Sequence, residues 1–139
     1  MTKGWKWTAF TGGRDKRYYM VRRELIDGRQ KTILLHRWVM GMPEGMIVDH
    51  INGNGLDNRC KNLRVCTQSQ NNANQKGAKH NSKSGHKGVY WHKAAQKWCA
   101  EVVFDYKKHY LGVYKNKLDA VEAYNKKAKE LYGDFFRES

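Results

Sequence analysis

The sequence predicts an α+β protein of two modules, and three observations carry that prediction. Two apolar-rich runs flank an Asp27-Gly28 pair near the N-terminus, two short apolar runs bracket a loop of Gly, Asn and Asp in the middle, and three strand-like runs precede one helical stripe at the C-terminus. The modules are placed at 1–75 and 85–139, with a basic, extended linker over 76–84. A chain of 139 residues divided in this way leaves neither module room for a large core.

In the first module, "RYYMVRREL" and "QKTILLHRWVM" are separated by Ile26-Asp27-Gly28-Arg29. An Asp-Gly pair favours the tight turn of a hairpin, so residues 1–40 are read as a two-stranded hairpin without a periodic helix, carrying Arg22, Arg29 and Lys31 on its outer positions. Pro43, the only proline, forces a turn within Gly41-Met42-Pro43-Glu44-Gly45. Strand candidates Met46–His50 and Leu63–Cys66 then bracket the polar loop. A helix starts at Thr67, whose hydroxyl and Gln70 form a capping-box pair. The strand-loop-strand-helix unit covers about 46–75.

From Gln68 to Gly85 the chain is almost devoid of apolar residues, and beyond the first helical turns it buries nothing. After it, "HKGVYWH", "KWCAEVVF" and "KKHYLGVY" read as three short strands with tight turns. A helix follows over about Lys117–Tyr132. Asn116 is its N-cap, with Asp119 three residues on, and Gly133 is its C-terminal stop. Ala120, Val121, Tyr124, Ala128 and Leu131 share one stripe, which implies a three-stranded antiparallel sheet covered by one helix. Trp91 and Trp98 are assigned to packing rather than to contact with a ligand.

Lys and Arg number 27 against 13 Asp and Glu, a formal net charge of +14 that is self-repulsive without a polyanionic partner. The charge is uneven: residues 1–40 carry 10 basic and 3 acidic side chains, residues 41–75 carry 3 of each, and residues 76–139 carry 14 and 7. Two basic arms around a neutral centre suit a protein whose ends grip a phosphate backbone while its centre also accepts a metal cation. No apolar run approaches the ~18 residues of a membrane span, and the first residues lack the apolar region of a signal peptide, so a cytoplasmic protein with no membrane partner is expected. Cys60, Cys66 and Cys99 are an odd set without a C-x-x-C pair, which points to isolated thiols rather than a disulfide framework or structural zinc.

The run from Val48 to Asn71 resembles the HNH nuclease motif, in the variant of phage and intron-encoded homing endonucleases where the third His is replaced by Asn. The resemblance rests on Asp49-His50, on Asn62 in Asn62-Leu63-Arg64, on Asn71 in Ser69-Gln70-Asn71, and on Leu35-His36-Arg37 upstream. It implies a ββα-metal module and metal-dependent hydrolysis of a phosphodiester in double-stranded DNA, leaving a 5′ phosphate and a 3′ hydroxyl. By the same resemblance His50 takes the proton from water, a task suited to a group that titrates near neutrality. Asp49 and Asn71 supply oxygen ligands to one Mg²⁺ or Mn²⁺ per site. Asn62 ties the loop together and holds the histidine in orientation. Asp57 and Asn58 are read as loop-closing hydrogen bonders, His36 as a brace, and Arg59 and Arg64 as contacts to DNA.

Residues from Ser84 to about Asp134 resemble the APETALA-type, or ethylene-response-factor, DNA-binding domain. The shared pattern is Lys87-Gly88-Val89, Lys97-Trp98-x-Ala100-Glu101-Val102, Leu111-Gly112-x-Tyr114 and Ala120-x-x-Ala123-Tyr124-x-x-x-Ala128. In that family the exposed sheet face enters the major groove. Carried over by position, the contact face holds Lys87, Tyr90, His92, Glu101, Val103, Lys108 and Tyr110, with Tyr124 near a phosphate. The sequence departs from the family at Tyr90, His92 and Val103, where arginine is usual. Lys76, Lys79 and Lys83 of the linker are expected along the DNA backbone. The expected function is a homing-type endonuclease that, as a monomer on DNA, nicks one strand, with a dimer as the route to a double-strand break. The alternatives are a non-catalytic DNA-binding protein, a repressor or architectural factor, and an RNA-binding protein.

Overall fold

The computed structural model describes residues 4–12, 17–75 and 82–138, and it has the expected α+β character. Two compact units divide between Gln68 and Ser69.

The first unit opens with an antiparallel sheet of β1 (Thr8–Gly12), β2 (Arg17–Ile26) and β3 (Arg29–Leu34), in that order. Asp27 and Gly28 both take positive φ, 52° and 70°, the geometry a two-residue hairpin turn needs to match the strand twist. β1 adds a third strand to the expected hairpin. Its sequence, TAFTG, is too short and too polar to announce itself by alternation. α1 (Leu35–Val39) is also additional, because five residues cannot display a 3.6-residue period. Its Arg37 donates to the carbonyls of Pro43 (2.7 Å) and Met46 (2.8 Å), closing the turn that Pro43 imposes. β4 (Ile47–His50) then pairs antiparallel with β5 (Leu63–Cys66), and a 3-10 turn over Cys60–Asn62 leads into β5.

Arg22 is expected on the outer surface of the hairpin, but its side chain is only 9% exposed. The guanidinium carbon stands 3.2 Å from the ring centroid of Trp5 and 5.2 Å from that of Trp7, and Nη2 pairs with Glu24 at 2.6 Å. A planar, weakly hydrated cation stacks on indole more readily than it stays in water beside it, so the tryptophans draw Arg22 inward. Arg29 and Lys31 on β3 remain exposed.

The second unit holds all of α2 (Gln68–Asn74) except Gln68, then β6 (Val89–His92), β7 (Lys97–Phe104), β8 (Lys107–Tyr114) and α3 (Lys117–Tyr132). The sheet is antiparallel in the order β6-β7-β8, with a bulge between Ala100 and Glu101. Val89, Ala100 and Val102 face Ala120, Val121, Tyr124 and Ala128 of α3, forming the core. Trp98 packs against this core, and Trp91 meets it edge-on at 5.3 Å while staying 42% exposed. Asn116 has the extended backbone of an N-cap (φ −98°, ψ 142°), but its side chain makes no cap hydrogen bond. Gly133 ends α3 at φ 53°.

α2 is tied into this unit by polar contacts. The Ser69 hydroxyl lies 3.2 Å from that of Tyr132, the Arg137 N–H donates to the Ala73 carbonyl (3.3 Å), and Lys87 Nζ donates to the carbonyls of Ala73 (2.9 Å) and Arg137 (3.4 Å). Lys87 therefore turns away from the sheet's exposed face, where the sequence pattern puts it. Burial, with Arg137 nearby, brings its ammonium pKa down to about 8. Tyr124, expected near a phosphate, is likewise inside, 8% exposed and lying across Gly88, with burial pushing its hydroxyl up to about 12. Among the described residues no helix is long and apolar enough to cross a membrane.

Candidate active site

The loop between β4 and β5 is built from short amide side chains that bond to backbone, which is why it holds a shape without an apolar core. Asn62, 8% exposed, is its hub. Its Oδ1 accepts from the Asn52 N–H (3.1 Å), and its Nδ2 donates to Asn52 Oδ1 (3.0 Å) and to the Asp57 carbonyl (2.8 Å). Asn52 Oδ1 also accepts from the Asn54 N–H (2.8 Å), and Asn54 Oδ1 from that of Leu56 (3.0 Å). At the rim Arg59 grips Asp57 with Nε (2.7 Å) and Nη2 (2.6 Å), and this pairing pulls the half-buried carboxyl down to about 2. Gly55 completes the frame: a Cβ there would sit 2.3 Å from the Tyr18 carbonyl and 2.8 Å from the Tyr19 ring, so only glycine lets the loop lie against β2.

This frame and β4 position Asp49 and His50, 8% and 5% exposed. Asp49 pairs in register with Arg64 of β5, whose Nε and Nη2 both reach Asp49 Oδ2 at 3.1 Å. Arg64, half-buried, is thus engaged with the carboxylate and sets its orientation. His50 Nε2 lies 3.2 Å from Asn58 Oδ1. Its ring meets the edge of His36 at 4.8 Å, and Tyr19 flanks both imidazoles at 6.1 and 5.7 Å. Tyr19 and His36 bring side chains from β2 and α1 to the loop. The sequence carries His36 in the upstream part of the nuclease pattern, whereas nothing in it marks Tyr19.

His36 is 6% exposed, and among the described residues its Nδ1 has no hydrogen-bond partner. Burial first, then the neighbouring His50 and Arg37, brings its pKa down from 6.5 to about 4. In the unfolded chain His36 takes a proton near pH 6.5, but in the fold only near pH 4, so between these values the unfolded state binds more protons. Stability from this group is therefore full above about pH 6.5 and falls as the pH drops to 4, by up to ~3 kcal/mol. Urea unfolding at pH 7, 5 and 4 measures it. The decline should shrink in His36→Gln, and an equal decline in both proteins would contradict the assignment.

Cys66 is buried beneath the site, and burial with the Asp49 carboxylate pushes its thiol up to about 11, so it stays protonated and inert. Asn71, half-buried on α2, belongs to the second unit. Among the described residues no three His, Cys, Asp or Glu side chains cluster as a metal cage. The Asp49 carboxylate is a single hard oxygen donor, which fits a divalent cation that retains waters and takes phosphate oxygens as further ligands.

In the second unit, Tyr90, Glu101, Val103, Lys108 and Tyr110 share the sheet face opposite α3. Glu101 pairs in register with Tyr110 and Val103 with Lys108, while Glu101 accepts from the Tyr90 hydroxyl (3.3 Å) and pairs with Lys108 Nζ (3.4 Å). His92 follows on β6, its Nδ1 accepting from the Ala95 N–H (3.1 Å). Lys83 is exposed, and Lys76 and Lys79 lie outside the described residues.

Residues 34–73 match the family model described as HNH endonuclease. The chain is also similar to Protein 3.8 of Escherichia phage T7, with 34% identity over 96 residues, 69% of this chain and 78% of that protein. No solved structure matches it.

Proposed function

Because the chain belongs to the same family as Protein 3.8 of phage T7 and carries an HNH endonuclease domain over residues 34–73, we propose that it is a metal-dependent, homing-type DNA endonuclease. The observation that carries this reading is the pair Asp49-His50, held on β4 by Arg64 and by the amide frame around Asn62. Asp49 would give an oxygen ligand to the cation, which when bound supplies positive charge to the transferring phosphate and the leaving oxygen. His50 takes the proton from the attacking water. Neutral His36 and Tyr19 back the imidazole without adding a like charge beside it. Asn62 keeps the loop, and with it the ring, in place.

The substrate is double-stranded DNA. The second unit, with its likeness to the APETALA-type domain, offers Tyr90, His92, Glu101, Lys108 and Tyr110 on one sheet face, while Arg29, Lys31, Arg59 and Lys83 are exposed cations for phosphates. One site attacks one strand, so a monomer nicks. The test is whether open-circle plasmid produced by the protein is resealed by DNA ligase, which requires a 5′ phosphate beside a 3′ hydroxyl. Resealing is expected. Products that ligase cannot join would contradict hydrolysis at the 3′ oxygen, and tight binding without cleavage would identify a DNA-binding protein instead.

A further inference from the structure

Asn58 holds its side-chain amide between two groups of opposite demand: Nδ2 donates to the Leu56 carbonyl (3.1 Å), and Oδ1 faces His50 Nε2 (3.2 Å). A carbonyl oxygen can only accept, so the Leu56 contact decides which end of the amide points at the histidine. Turned over, the amide would set its oxygen against that of Leu56 and its NH₂ against the ring nitrogen. Oδ1 also can only accept, so neutral His50 must carry its proton on Nε2 and its lone pair on Nδ1. We propose that Asn58 is a positioning residue that selects this tautomer and fixes the ring, making Nδ1 the atom that takes the proton from water. This rests on the reading of His50 as the general base.

The neighbours of Asn58 explain how a loop residue can do this. Asp57 is held through its carbonyl by Asn62 Nδ2 (2.8 Å) and through its carboxylate by Arg59 and by Asn52 Nδ2 (3.0 Å). The Asn62 N–H in turn donates to the Arg59 carbonyl (2.8 Å). The backbone is thereby pinned on both sides of Asn58, and its amide has one direction in which both contacts are met. A residue that merely closed the loop would leave the imidazole's proton indifferent to its replacement.

Long-range ¹H–¹⁵N correlation on the full chain with ¹⁵N-labelled histidine, without metal and above the pH at which imidazoles titrate, reads the tautomer directly. His50→Ala identifies the His50 signals. Wild type should show the proton on Nε2. Asn58→Asp, which keeps an acceptor oxygen, should preserve it, whereas Asn58→Leu, of similar size but without donor or acceptor, should give a tautomer mixture. The cleavage rate constant of Asn58→Leu at saturating DNA should fall by about 10–100-fold, with DNA affinity within about twofold of wild type. A proton on Nδ1 in the wild type, or an unchanged tautomer in Asn58→Leu, would overturn the proposal even if the protein cleaves DNA. Should Asn58→Leu not fold, the wild-type pattern alone decides. An Asn58-dependent Nε2 proton in a protein that cleaves no DNA would instead overturn the nuclease reading on which the proposal rests.

Discussion

Replacing His50 with alanine is expected to lower the single-turnover rate of DNA cleavage by about 10²–10⁴-fold, the range general-base catalysis contributes. Binding should survive, because His50 is 5% exposed and the exposed cations lie elsewhere. The size of the loss follows from what remains: Asp49 stays oriented by Arg64 at 3.1 Å, and the frame of Asn62, Asn52 and Asp57 does not use the imidazole. On the proposed mechanism a cation and a positioned phosphate would still accelerate the reaction, so the variant should be crippled rather than inert. Rapid-quench cleavage at saturating protein gives the rate, and filter binding in chelator gives the affinity. A rate within threefold of wild type would remove His50 from the proton transfer. A parallel loss of affinity would show that the substitution damaged the fold.

The largest effect on stability is expected from Gly88→Ala. Gly88 has φ +61°, and a Cβ there would meet the Glu101 carbonyl at 2.2 Å and the Tyr124 ring at 2.3 Å. The backbone conformation costs a non-glycine residue ~1–2 kcal/mol, and forcing a methyl into a packed contact adds ~1–3 kcal/mol. Relief requires either moving Tyr124 out of the core or breaking the Glu101 N–H to Gly88 carbonyl bond of 2.8 Å. A loss of about 2–5 kcal/mol is therefore expected. That approaches the whole stability of a small unit. Urea denaturation followed by the fluorescence of Trp91 and Trp98, with the other three tryptophans replaced by phenylalanine, measures it, and a loss under 1 kcal/mol would mean that β6 shifts freely against α3.

Much of the fold was readable because its signals are local. Asp27-Gly28 announces the hairpin turn, and Asp27 takes the positive φ that the turn requires. The runs around Val48 and Val65 pair as β4 and β5, and the stripe Ala120, Val121, Tyr124, Ala128 forms the core face of α3. Asp49, His50 and Asn62 stand out in the sequence as a group, and the strand-loop-strand geometry places them together. What local pattern does not carry is the identity of distant partners. Arg22 looks like any outward cation on a strand until Trp5 and Trp7 fold over it, and Lys87 looks like a surface lysine until the carbonyls of Ala73 and Arg137 are found at its tip. Tyr124 reads equally as a helix-face contact or a core residue, and the missing Cβ of Gly88 decides for the core. Tyr19 escapes notice for the same reason: it acts only through Gly55 and two histidines far from it in sequence.

The most direct test of the central claim is supercoiled plasmid incubated with wild type or His50→Ala in Mg²⁺, in Mn²⁺ or in chelator, and resolved into supercoiled, open-circle and linear forms. DNA from the neighbourhood of the protein's own gene is included, since a specific site can be absent from an arbitrary plasmid. Open circles that form with wild type and metal, that are absent with chelator, and that form about 10²–10⁴-fold more slowly with His50→Ala, are the predicted result. Cleavage equal in wild type and His50→Ala, or no cleavage of DNA that wild type binds tightly with either metal, would contradict it.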